Sequence, residues 1–156
     1  MHSNNQTEVN QTDVDQLNSF LRGELAAVET YDQALSKIED RQLKKPLREV
    51  RASHDRRAYL IRQRILVLGG EPVASAGMWG GIAKLVEAGA AAFGVSPAIA
   101  ALEEGEDRGR DGYRKELDDL SPETQAFVSD TVLPEQLRTH DMVRALKREL
   151  KSRSVS

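Results

Sequence analysis

The 156-residue chain has no cysteine, which excludes disulfides, zinc ribbons, iron–sulfur clusters and thiol catalysis together. It also lacks a large net charge: 22 Lys+Arg against 25 Asp+Glu leave a formal charge of −3. Without a basic excess there is no general electrostatic pull toward phosphate backbones or anionic lipid, so neither nucleic acid nor membrane is expected as a partner. No apolar stretch is both long enough and free enough of glycine to cross a bilayer. The opening MHSNNQTEVNQTD is polar, without the apolar run of a signal peptide, and the expectation is a soluble, cytoplasmic protein. Strand-like alternation is missing, as are a phosphate-cradling glycine loop ahead of a helix and a nucleophile–base constellation. What is present is 39 % apolar and 30 % charged residues, the composition of a globular domain, at a length that suits one domain with a sizeable core.

The apolar spacing is helical throughout, and the class expected is all-α. Residues 1–12 are polar and read as a disordered tail. From there Leu17, Leu21, Glu24, Val28, Tyr31, Leu35 and Ile38 follow one another at alternating steps of four and three, an unbroken seam that predicts a first helix over about 14–38. Leu43, Leu47, Val50, His54, Ala58, Ile61, Ile65 and Leu68 share a face and predict a second helix over 43–68, stopped by Gly69-Gly70. Residues 69–97 hold seven of the eleven glycines and the only tryptophan, Trp79, with a short amphipathic helix expected at 78–93. A connection of that length can run back along a second helix of about 38 Å, which favours a four-helix bundle with one long, partly helical crossover. Third and fourth helices are expected over 98–119 and 122–150, the latter opened by Ser121-Pro122-Glu123 and kinked at Pro134, with residues 151–156 as a tail.

The first and third helices share Gly-Glu-(six residues)-Tyr-(three)-Leu: Gly23, Glu24, Tyr31 and Leu35 match Gly105, Glu106, Tyr113 and Leu117 at an offset of 82. The second and fourth share Glu-(four)-His-Asp: Glu49, His54 and Asp55 match Glu135, His140 and Asp141 at an offset of 86. Two hairpins of one design joined by the crossover is the economical reading. Glu24 and His54 occupy seam positions that should be apolar, and Glu106 and His140 are their counterparts. A buried carboxylate must be paired, protonated or bound to metal, so four helices each directing one polar group inward make a convergent site.

On these residues the chain resembles the ferritin-like superfamily, especially its rubrerythrin-type bundles, over residues 13–150. Those bundles carry Glu-x6-Tyr on the first and third helices and Glu-x2-His on the second and fourth, around a di-iron centre. The Leu-Gly-Gly-Glu-Pro end of the second helix, the Trp79 crossover and the Glu-Glu-Gly-Glu-Asp start of the third look similar to a bacterial ferritin-like family known only as a domain of unknown function. The resemblance implies Glu24, His54, Glu106 and His140 as metal ligands for iron, manganese or zinc, with ferrous oxidation or peroxide handling as the chemistry. The pattern departs where the bridging carboxylates should stand, because Arg51 and Leu137 lie three residues before the two histidines. Glu49 and Glu135, five residues before, sit about 140° around the helix from them and reach the site as shifted ligands only through a bulge or kink.

Two readings therefore stand side by side. In one, the four residues bind a divalent metal, with Tyr31 and Tyr113 donating to the ligand carboxylates. In the other the site is a metal-free relic without a cofactor, its carboxylates neutralised by Arg51, Arg57 or Arg110 and hydrogen-bonded to the histidines, and the bundle acts through self-association or a protein partner. A homo-oligomer, a dimer, is the expected assembly. Gly105, Gly109 and Gly112 form a smooth stripe that would let another helix approach, or else a tolerated weak helix.

Overall fold

The computed structural model describes residues 2–77 and 94–155. Helix α1 runs over His2–Lys37, α2 over Arg41–Val67 and α3 over Val95–Glu116, closed by a 3₁₀ turn at Leu117–Asp119. The fourth rod is built of α4 (Pro122–Phe127), a π-helical stretch (Val128–Val132) and α5 (Leu133–Val155). Among the described residues there is no strand, and the protein is an all-α four-helix bundle. The expected crossover helix, residues 78–93, lies outside the described residues.

Helix α1 begins far earlier than apolar spacing predicts, and its polar side chains are the reason. Gln6 donates to Asn10 (2.9 Å) and Gln11 to Asp15 (2.8 Å), while the hydroxyls of Thr7 and Thr12 donate to carbonyls one turn back. These bonds sustain an exposed helix where a disordered tail is expected from composition. At the other end α5 continues to Val155, with Arg153 donating to Asp40 (3.2 Å) and Gln42 (2.9 Å).

Helix α2 stops where its glycines predict. Gly69 adopts φ +80°, its N–H donates to Leu66 and that of Gly70 donates to Ile65, the paired bonds of a Schellman ending. Gly70 is there for a different reason: a Cβ at that position would lie 2.6 Å from both methyls of Val14 on α1. In the fourth rod the expected kink at Pro134 takes the form of the π-helical stretch just before it, where the Leu133 N–H reaches back to Val128.

Helix α1 packs extensively on α2, and α3 on α5, whereas α1–α3 and α2–α5 contacts are sparser. Helices α1 and α3 are antiparallel, since Glu24 meets Tyr113 and Tyr31 meets Glu106. The core has two apolar halves. One gathers Leu17, Leu21, Ile61, Ile65 and Val128, the other Ile38, Leu43, Leu47, Ile99 and Val143. Between them lies a belt of buried polar side chains.

A smaller polar contact ties α1 to the start of the fourth rod. Asp13, 1 % exposed, accepts from the backbone N–H of Ser121 (3.0 Å) and from its hydroxyl. Ser121 thus holds the N-cap position its sequence predicts, with Pro122 in the first turn, but turns its hydroxyl to α1. Asp13→Ala strands both donors and should cost about 2 kcal/mol, lowering Tm by roughly 4–8 °C. Thermal denaturation checks this; a change within about 1 °C would show that water satisfies the two groups.

Candidate functional site

The belt forms where helical seams pass through the middle of the bundle. On α1 the seam residue is Glu24, and on α3 Glu106. On α2 the run Val50, His54, Arg57, Ile61 places two basic side chains inward. On the fourth rod the run Val132, Gln136, Thr139, Val143, Leu146 does the same for an amide and a hydroxyl. Glu24, His54, Arg57, Glu106, Gln136 and Thr139 are all buried.

His54 lies between two carboxylates from two other helices. Its Nδ1 is 2.6 Å from Glu24 Oε2 and its Nε2 is 2.6 Å from Glu106 Oε1. With both carboxyls ionised, as the cations around them favour, neither has a hydrogen to give, so both ring nitrogens donate and the ring is an imidazolium. Tyr113 donates to Glu24 Oε1 (2.5 Å) and Tyr31 to Glu106 Oε1 (2.7 Å), each hydroxyl reaching the acid of the other Glu-x6-Tyr motif. The Tyr31 ring also stacks on His54 at 5.3 Å between centroids.

Arg57 is the second cation, 1 % exposed and 3.5 Å from Glu24 Oε1. It donates to Gln136 Oε1, to Thr139 Oγ1 (3.1 Å) and to the Ser53 carbonyl (3.3 Å). Gln136 and Thr139 relay the contact, donating to Glu106 Oε2 at 3.0 and 2.8 Å. Gly109 makes room for this: a Cβ there would stand 2.8 Å from Gln136 Nε2, which donates to the Glu106 carbonyl as well (2.8 Å). Two carboxylates, one imidazolium and one guanidinium leave the belt with no net charge.

The electrostatics follow. Burial by itself raises the Glu24 carboxyl, but the Arg57 and His54 charges and the bonds from His54 and Tyr113 outweigh it and hold the pKa below its ordinary value. Burial opposes ionisation of Glu106 too, and His54, Tyr31 and Arg57 overcome it, lowering its pKa to about 2. Burial and Arg57 disfavour charged His54, yet the two flanking carboxylates raise its pKa. Burial and the carboxylates that they serve raise both tyrosine hydroxyls well above the ordinary value, keeping them proton donors.

The other residues singled out from the sequence lie elsewhere. His140 is buried but points to Asp107, with Nε2 2.6 Å from Oδ1, beside Arg110 (3.3 Å). Glu135 accepts from Ser53 (2.7 Å) and from Arg138 at the edge of the bundle, which together bring its pKa to about 2. Glu49 is exposed. Arg51 pairs with Asp32 at 2.7 Å on the surface, and Arg110 with Asp107 and Asp111, so that of the three candidate arginines Arg57 is the one in the belt. Gln136 and Thr139 were not expected from the sequence, although the four-and-three spacing of Val132 to Leu146 marks them as seam positions. Among the described residues no group of three or more His, Cys, Asp or Glu side chains is arranged to hold a metal ion.

A protein-family profile, described as a domain of unknown function (DUF2383), matches residues 12–119, so that α4 and α5 fall outside it. No curated protein and no solved structure matches the chain.

Proposed function

The chain belongs to the family described as a domain of unknown function, DUF2383, and from that starting point we propose that it is a ferritin-like bundle in which a metal-free Glu/His/Arg network replaces a metal centre, acting by self-association or partner binding and not by redox chemistry. One observation carries the reading: both nitrogens of His54 lie 2.6 Å from carboxylate oxygens, of Glu24 and Glu106, and with both acids ionised each nitrogen donates. A metal ligand must offer a lone pair, and an imidazolium has none. The surroundings point the same way. Arg57 holds a fixed positive charge 3.5 Å from Glu24, and Arg51 and Leu137 stand where bridging carboxylates would be needed. His140 is turned to Asp107. These residues do not fit a di-iron centre. The duplicated Glu-x6-Tyr motifs, with their crossed hydrogen bonds, support ferritin-like ancestry.

In this reading the network fixes alignment. A buried charge network adds little net stability over apolar packing, but a slip of one helix by a turn would leave a carboxylate unpaired at a cost of several kcal/mol. Ferrous iron added without oxygen, followed by air, tests the proposal through bound metal and near-ultraviolet absorbance. Iron, manganese and zinc should all remain at background after desalting. Stoichiometric metal that disappears in His54→Gln, with helix content intact, would overturn the metal-free reading.

A further inference from the structure

A cavity of about 480 Å³ opens between α1 and α3, with Glu24, Tyr31, His54, Glu106 and Tyr113 at its floor. Phe20, Ala27 and Leu102 contribute its apolar walls. Gly23, Gly105 and Gly112 also line it, and a Cβ at any of the three would meet nothing within 4 Å. Packing among the described residues therefore does not demand glycine there, although glycine weakens a helix interior. What these positions preserve is space. The volume falls within the usual range of small-molecule sites.

We propose that this cavity binds an uncharged, mainly apolar small molecule carrying at most a hydroxyl- or amide-type donor. The floor decides the charge. Its ionised groups cancel, and its hydrogens are already used: both of His54, the hydroxyls of Tyr31 and Tyr113, and the Gln136 amide donate inside the network. Lone pairs on carboxylate and phenol oxygens are what it can still offer. At that floor an anion would meet two carboxylates and no free donor, with the cations of Arg108 and Lys115 on exposed residues at the mouth, and a cation would find the acids already neutralised. A neutral molecule loses nothing at such a floor and gains from the apolar walls. This goes beyond the metal-free reading, and metal uptake and cavity occupancy are measured separately.

The test uses the full chain with the neutral fluorophore N-phenylnaphthylamine and its anionic relative anilinonaphthalene sulfonate. The neutral probe should bind saturably, one per chain, and the anionic probe at least about tenfold more weakly. Gly105→Leu and Gly23→Leu, which fill the cavity from opposite walls, should each weaken the neutral probe about tenfold or more with helix content retained. If either variant loses helix, the other carries the comparison, and the contrast between the two probes stands on the unaltered protein alone. No saturable binding, equal binding of both probes, or binding unchanged in the folded variants overturns the proposal. So does a dimer that dissociates on Gly105→Leu, which would assign the cavity to a second copy.

Discussion

Arg57→Leu should lower the unfolding free energy by about 3–5 kcal/mol and Tm by roughly 6–20 °C. The guanidinium is buried, balances the second carboxylate, and satisfies Gln136, Thr139 and the Ser53 carbonyl. Leucine restores the apolar volume but leaves Glu24, Glu106 and His54 with one uncompensated negative charge away from water. The matched control is Arg51→Leu, three residues to the other side of His54. Arg51 lies on Asp32 at 2.7 Å with 35 % and 52 % of the two side chains exposed. Pairs of that kind contribute about 0.2–1 kcal/mol. Urea titration of the two variants therefore separates the internal cation from the surface one, and losses of equal size would refute the charge balance assigned to the belt.

His54→Leu should cost about 3–5 kcal/mol near pH 6 and alter the pH dependence of what stability remains. In the unaltered protein His54 is raised above its ordinary value of 6.5, so its contribution is complete below about 6.5 and fades as pH rises through the folded value. Glu24 and Glu106 are lowered from 4.5, Glu106 to about 2. Their contribution is complete above about 4.5 and fades as pH falls toward 2, and for Glu106 it is of order 3 kcal/mol. The belt therefore stabilises the fold most between about pH 4.5 and 6.5 and loses effect on either side. Without the imidazolium, Glu24 and Glu106 have only Arg57 as a cation and the two tyrosine hydroxyls as donors from α1 and α3. One acid should then hold a proton, its folded pKa above its unfolded one, and the variant should gain stability on acidification from about pH 7 to 5 where the original is level or gains less. Denaturant midpoints across that range measure it; parallel profiles for the two proteins would show that His54 is not the group balancing the acids.

Much of this molecule is readable in one dimension, for reasons that lie in particular residues. The four-and-three seam from Leu17 to Ile38 makes an amphipathic helix whatever surrounds it, and Gly69-Gly70 ends α2 because a residue at φ +80° is most readily glycine. Glu24, His54 and Glu106 are conspicuous because an ionisable group in an apolar seam needs a partner, and the structure supplies partners from all four rods. The start of α1 is not readable that way: apolar spacing is silent over 2–12, and the bonds that sustain the helix run between polar side chains one turn apart.

The sequence by itself determined the all-α class, the seams of the four rods and the acids and imidazole that must meet. Tertiary structure decided which neighbours complete them. Arg51 and Arg57 stand three residues before and after His54 and so lie at equal angles, about 60°, to either side of it. Only the placement of α1 and α5 around α2 sends Arg51 out to Asp32 and Arg57 in to Gln136 and Thr139. The same holds for His140. A constant offset in sequence pairs it with His54, but the π-helical stretch at Val128–Val132 precedes it, and α5 presents Gln136 and Thr139 to the belt while His140 turns to Asp107. Spacing along a helix sets angles within that helix, whereas the angle between a side chain and its partner depends on how the rods are turned against one another, and packing determines that.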